Sequence, residues 1–181
     1  MIDTASTLYI SLGSNIEPAA NIASARDELF KVLDNACMSP VYQSPAVGMT
    51  GADFHNAVVS GVTTQSLTAT ITMLAIVEGN HGRIRTSNKF SDRTLDLDLL
   101  LFGDLVCSPV PYGNDNRGTD NIPGEIELPH PEILQQAYVL QPLADIAGSL
   151  KHPVSGITMA EHRNRLMNES RELFDALKTV G

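Results

Sequence analysis

Leu95-Asp96-Leu97-Asp98-Leu99-Leu100-Leu101-Phe102 alternates leucine with aspartate and then becomes continuously apolar. In an extended chain successive side chains point to opposite faces, so the alternation predicts a β-strand carrying Asp96 and Asp98 on one face and Leu95, Leu97 and Leu99 on the other. A surface strand can alternate in this way merely to face core and water. The unbroken run Leu99 to Phe102 argues otherwise, because it needs cover on both faces at the far end of the strand. Two acids at the head of such a strand therefore need a task, and a pair of carboxylates suits Mg²⁺, which takes its remaining ligands from water or phosphate.

Working toward the N-terminus, Arg83, Arg85, Lys89 and Arg93 stand within eleven residues and share that window with a single acid, Asp92. A solvated basic loop is the plain reading of such a cluster. Beside two strand-borne acids it reads instead as a polyphosphate clamp, since guanidinium forks hold phosphate oxygens bidentately and stabilise charge during phosphoryl transfer. Ser66 is an expected N-cap for a helix marked by Leu67, Ile71, Leu74 and Glu78 and ending near Gly82. Asn56 to Thr63 is β-rich, and Val41-Tyr42-Gln43 is a short extended segment broken at Ser44-Pro45, so the two are expected to pair as antiparallel neighbours around a connecting loop. After Pro18, Ile22, Ala25, Leu29, Phe30 and Leu33 recur at helical spacing. Thr7 to Leu12 reads as a buried strand stopped by turn chemistry at Gly13-Ser14-Asn15.

The order strand, helix, strand, strand, helix, strand predicts a split βαβ, ferredoxin-like α+β arrangement, with an antiparallel sheet and helices on one side. Toward the C-terminus, Cys107 to Gly124 is rich in Pro, Gly, Asn and Asp and reads as a long surface loop. A last helix is expected from about Met159 to Leu177, its apolar stripe packing on the core. His130, held between Pro129 and Pro131, can donate to a phosphate or serve the structure. Phe54 and Phe90 lie in expected loops, where stacking on a flat heterocycle and core filling are both open.

With 181 residues, 43% of them hydrophobic, the chain supports one core. A net charge of −9 excludes a broad polyanion-binding surface, so no nucleic-acid partner is expected and any polyphosphate site must be local. Cys37 and Cys107 show no disulfide framework or zinc spacing. There is neither a secretory leader pattern nor an apolar stretch long enough for a membrane, so a cytoplasmic location is expected.

Lys89-Phe90-Ser91-Asp92-Arg93-Thr94-Leu95-Asp96-Leu97-Asp98-Leu99-Leu100 resembles the signature of the hydroxymethyldihydropterin pyrophosphokinases, an Arg, two spacers and Asp-x-Asp. The resemblance runs in order from Tyr9-Ile10-Ser11-Leu12-Gly13-Ser14-Asn15 through Ser44-Pro45-Ala46-Val47-Gly48, Phe54-His55-Asn56-Ala57 and Gly82-Arg83-Ile84-Arg85 to Leu128-Pro129-His130-Pro131 and Val139-Leu140-Gln141-Pro142-Leu143. It implies one pyrophosphokinase domain over residues 1–181, a ferredoxin-like αβα sandwich, and transfer of diphosphate from ATP to 6-hydroxymethyl-7,8-dihydropterin, giving AMP and the pterin diphosphate. It further implies two Mg²⁺ ions on Asp96 and Asp98, and catalytic roles for Arg83 and Arg93. ATP would meet Glu78, Arg85, Lys89, Phe90 and His130. The pterin would lie among Ser44, Pro45, Val47, Phe54, Asn56 and Tyr138.

The chain departs from the family pattern at four positions. Ser91-Asp92 stands where small residues and Pro are usual, which puts an acid beside the phosphate clamp. Gln136 replaces an Arg two residues before Tyr138, with Arg117 as a candidate substitute, and Phe90 stands where Trp is often found. An impaired pterin- or nucleotide-binding paralogue, a related enzyme with another planar acceptor, and a non-enzymatic interaction domain are the alternatives.

Overall fold

The computed structural model describes residues 5–48, 51–83, 92–112 and 124–180. Its main sheet has six strands: β1 (Ser6–Ser14), β2 (Asp34–Met38), β3 (Val41–Ser44), β4 (Phe54–Thr63), β5 (Asp96–Phe102) and β8 (Lys178–Val180). The order is β5-β1-β4-β3-β8, with β2 also on β4, and every pairing is antiparallel. The expected pairing around a loop is present, with Tyr42 opposite Asn56.

Along β4, β2 and β3 form one interrupted edge. Pro40 has no N–H to give, and the break is bridged by Ser39, whose N–H donates to the Val58 carbonyl at 2.9 Å while its hydroxyl accepts from the Val58 N–H at 3.0 Å. β2 was not expected from the sequence. Gly13 and Ser14 belong to β1 rather than to a turn, so the strand reaches two residues further than its composition suggests.

Helix α1 (Pro18–Val32) starts with Pro at its first turn, where a missing N–H costs nothing. α2 (Leu67–Asn80) is capped as expected by the Ser66 hydroxyl, which accepts from the Ala69 N–H at 3.2 Å. Ile22, Ala25 and Leu29 of α1 and Ile71, Leu74 and Val77 of α2 pack on Leu8, Ile10, Leu12, Leu97 and Leu99. The opposite sheet face is covered by α3 (Ala137–Ala147) and by Met159 at the start of α4 (Met159–Glu169), against Val58, Leu100 and Leu101. Helices therefore lie on both sides of the sheet, an αβα sandwich, which corrects the one-sided arrangement inferred from element order. The second layer comes from α3, whose internal Pro142 masks a helical signal.

The run Leu99 to Leu101 is buried on both faces through a bulge. Ile10 pairs with Leu99 and Tyr9 with Leu101, so Leu100 is the extra residue. That insertion turns Leu100 and Leu101 together toward α3, while Leu99 faces α1 and α2.

Two further expectations are corrected. The segment from Cys107 opens as a strand, β6 (Cys107–Tyr112), paired with β7 (Gly124–Leu128). The final helix is broken at Ser170 (φ −145°, ψ 61°) into α4 and a short α5 (Arg171–Asp175), followed by β8 on the free edge of β3.

Candidate active site

Three strands meet to make a floor. Gly13 of β1 stands between Asn56 of β4 and Asp96 of β5, and two residues along, on the same face, Ser11 stands beside Asp98. A Cβ on Gly13 would come within 3.6 Å of Asn56 Oδ1 and 3.9 Å of the Asp96 Cβ. The glycine thus keeps a gap open between an amide and a carboxylate. Ser44, Pro45, Val47 and Phe54 wall one side of a cleft of about 260 Å³, and Tyr138, Gln136 and Glu132 wall the other, with Arg93 at the charged end. A concave site with aromatic walls and a few convergent polar groups is a usual form of small-ligand site.

Asn56 is buried and aimed. Its Nδ2 donates to the Ser44 hydroxyl at 3.0 Å, which directs Oδ1 over Gly13 as an acceptor. Tyr138, at the start of α3, donates its hydroxyl to Glu132 at 3.4 Å; burial and the Glu132 and Asp98 charges raise its pKa.

At the charged end, buried Asp96 pairs with both Arg83 and Arg93, one through each carboxylate oxygen. Arg83 also pairs with Glu78, whose carboxylate accepts from the Leu97 N–H at 2.9 Å and so ties α2 to β5. Asp98 shares the face of Asp96, and its carboxyl is pushed up to about 6, by burial first and then by Glu132 and Glu78, against the opposing pull of Arg83 and Arg93. Around this point the described residues place four carboxylates, on Glu78, Asp96, Asp98 and Glu132, against the two guanidiniums. A divalent cation fits that excess of negative charge and those hard oxygen donors. No group of three or more His, Cys, Asp or Glu among the described residues can hold a metal by itself, so a resident ion would take its other ligands from water or phosphate.

The expected pterin-side residues Ser44, Pro45, Val47, Phe54, Asn56 and Tyr138 and the expected Arg93, Asp96 and Asp98 all line this one cleft. Arg83 and Glu78 stand behind Asp96 rather than in the lining. His130 stands outside the lining: its Nδ1 accepts from the Glu132 N–H at 3.4 Å, its backbone N–H donates to the Leu100 carbonyl at 2.9 Å, and burial lowers its pKa. Arg85, Lys89, Phe90 and Arg117 lie outside the described residues.

Sequence reasoning missed Ser11, read Gly13 only as part of a turn, and missed Glu132. The signal for the first two was the period-two register with Asp98 and Asp96, which becomes visible only once β1 and β5 are paired. Asn15, read like Gly13 as a turn residue, is a clamp. Its N–H donates to the Arg93 carbonyl at 3.0 Å, its Oδ1 accepts from the Arg93 N–H at 2.7 Å, and its Nδ2 donates to Asp92 at 2.7 Å.

Residues 9–148 match the family described as 7,8-dihydro-6-hydroxymethylpterin-pyrophosphokinase (HPPK). The 2-amino-4-hydroxy-6-hydroxymethyldihydropteridine pyrophosphokinase of Pseudomonas aeruginosa is 31% identical over 150 residues, covering 81% of this chain and 83% of that protein. Its namesake in Synechocystis is 32% identical over 155 residues, 84% of this chain and 72% of that one. Over 89% of its length the chain is also 29% identical to the folic acid synthesis protein fol1 of Pneumocystis carinii, but it spans only 20% of that protein. Among solved structures, Plasmodium falciparum HPPK-DHPS with pterin and p-hydroxybenzoate aligns with a TM-score of 0.75 over 97% of this chain and 46% of that one; at 15% identity this likeness bears on the fold alone. No helix among the described residues is long and apolar enough to cross a membrane. With a family match over most of its length and two similar enzymes above 30% identity, the chain belongs to the HPPK family.

Proposed function

We propose that the chain transfers diphosphate from ATP to 6-hydroxymethyl-7,8-dihydropterin, releasing AMP and the pterin diphosphate for folate biosynthesis. The observation that carries this reading is the continuity of one cleft: a slot framed by Phe54, Asn56 and Tyr138 opens directly onto Arg93, Asp96 and Asp98. A flat heterocycle in the slot would present a short hydroxymethyl arm to the charged end. Asn56 Oδ1 accepts from the ring's N–H edge, Phe54 and Tyr138 bound its faces, and Ser44, Pro45 and Val47 close the outer wall.

The acceptor oxygen attacks the β-phosphorus of ATP, the bond from that phosphorus to the α,β-bridging oxygen breaks, and AMP leaves while the hydroxyl proton passes to solvent. Arg93, and Arg83 behind it, stabilise charge on the transferring group. In this reading Glu78 and His130 support the nucleotide side, Glu78 by holding Arg83 and β5 together, with Arg85, Lys89 and Phe90 completing it. Asp96 and Asp98 would hold magnesium, two ions in this reading, which would supply charge neutralisation to the triphosphate. Residues 1–181 act as one pyrophosphokinase domain in the cytoplasm, where MgATP is available.

The test is an assay of purified protein with Mg²⁺, ATP and the pterin, following both products. Acceptor-dependent AMP in equal amount to pterin diphosphate is expected; AMP formed without acceptor, or none at all, overturns the reading.

A further inference from the structure

Asp92 puts a negative charge next to Arg93, yet its carboxylate is directed elsewhere: Oδ1 accepts from the Asn15 amide at 2.7 Å. A side-chain amide has one accepting and one donating end, whereas a carboxylate can only accept. The NH₂ end of Asn15 faces Asp92 and, at 3.4 Å, the Ala52 carbonyl, while its oxygen faces the Arg93 N–H, where it accepts at 2.7 Å. A flipped amide would set two donors against each other at Arg93. Asn15 is buried, so the flip would not be solvated away. The rest of the clamp does not involve Asp92: the Ser14 hydroxyl donates to the Thr94 carbonyl at 2.6 Å, and the Asn15 N–H to the Arg93 carbonyl at 3.0 Å. Asp92 supplies the shorter and charged of the two acceptors on the Asn15 NH₂.

Building on the pyrophosphokinase reading, we propose that Asp92 is a positioning residue for Arg93: as the shorter, charged acceptor on the Asn15 NH₂, its carboxylate tightens the amide in the orientation that holds the Arg93 backbone, and thereby aims the guanidinium at Asp96 and the cleft. The acid beside the phosphate clamp is then an anchor, held in a charge-assisted bond, rather than a source of repulsion.

Asp92→Ala, Asp92→Asn, Arg93→Ala and the Asp92→Ala/Arg93→Ala double variant decide this, read by steady-state kinetics and by hydrogen exchange of the Arg93 amide. Asp92→Ala is expected to lower kcat about three- to tenfold, the worth of one lost hydrogen bond, with KM for the pterin unchanged. Asp92→Asn, which keeps an accepting oxygen, should stay within about twofold of wild type. In the Arg93→Ala background Asp92→Ala should cost nothing further, because the two act through one group. Exchange of the Arg93 amide should quicken in Asp92→Ala and not in Asp92→Asn. An unchanged or raised kcat in Asp92→Ala, or an equal loss in the Arg93→Ala background, overturns the proposal. Should the wild-type protein form no pterin diphosphate, the pyrophosphokinase reading fails by itself, and amide exchange still decides on the clamp: unchanged exchange in Asp92→Ala sinks it.

Discussion

Asp98 is held in surroundings that resist its charge, and this sets stability against function at one side chain. Its folded pKa of about 6 lies above the ordinary 3.8, so between those values the folded protein keeps a proton that the unfolded chain releases. Stability therefore falls as pH rises through that window, and the loss is complete above about 6. Asp98→Asn should gain stability over wild type at pH 8, by up to about 3 kcal/mol at 1.36 kcal/mol per pKa unit, and gain little below pH 4, while turnover is abolished. Urea unfolding at the two pH values checks the sign. Arg93→Ala should lower kcat by ~10²-fold, as for other single charge-stabilising donors. A change confined to KM would make Arg93 a binding group instead. Gly13→Ala meets its neighbours at ordinary van der Waals distance, so its Tm should stay near wild type. The added methyl enters the cleft floor, and KM for the pterin should rise about tenfold or more. A normal KM would show that the acceptor does not lie on Gly13.

Among the elements, β4 bears the most, pairing with β1 on one side and with β2 and β3 on the other. Gly61 lets the end of α1 pass close over it: an added Cβ would come within 2.8 Å of the Leu33 Cβ. Gly61→Ala should destabilise by about 1–3 kcal/mol, as overpacking does, and trimming Leu33 to Ala should not restore the loss because the clashing atom remains. Denaturant midpoints of the single and double variants measure both statements. The reading of β2 failed at this same scale. Asp34-Asn35-Ala36-Cys37-Met38 has no β-branched residue and turns at Asn35 (φ 51°), yet it joins the sheet because β4 offers it an unfilled row of partners. The break at Ser170 was likewise invisible, since helical spacing on its two sides is continuous.

Across the whole molecule, two helical layers enclose the sheet while the heads of β1, β4 and β5 stay open as the floor of the cleft. A ligand that bridges those strand ends binds only the folded chain. A slowly hydrolysed ATP analogue with Mg²⁺ should therefore raise Tm in a concentration-dependent way, by an amount set by RT ln(1 + [L]/Kd), and should do much less with the metal chelated. Equal shifts with and without Mg²⁺ would count against a metal-bridged triphosphate.

What the sequence determined by itself was chemistry and period. The Leu-Asp alternation placed Asp96 and Asp98 on one strand face, the basic window put Arg93 beside them, and the ordered motifs named Ser44, Pro45, Val47, Phe54, Asn56 and Tyr138, which line one cleft. These signals are local or motif-borne, and they survive in a linear string. Tertiary structure decided what depends on register between distant strands: Gly13 set between Asn56 and Asp96, Ser11 beside Asp98, and Glu132 brought close enough to raise the Asp98 carboxyl. It also decided the second helical layer and the use of Asn15 as a clamp on Asp92 and Arg93. A side chain's type states which partners it can take, but only the packed chain determines which partner stands within a hydrogen bond's length.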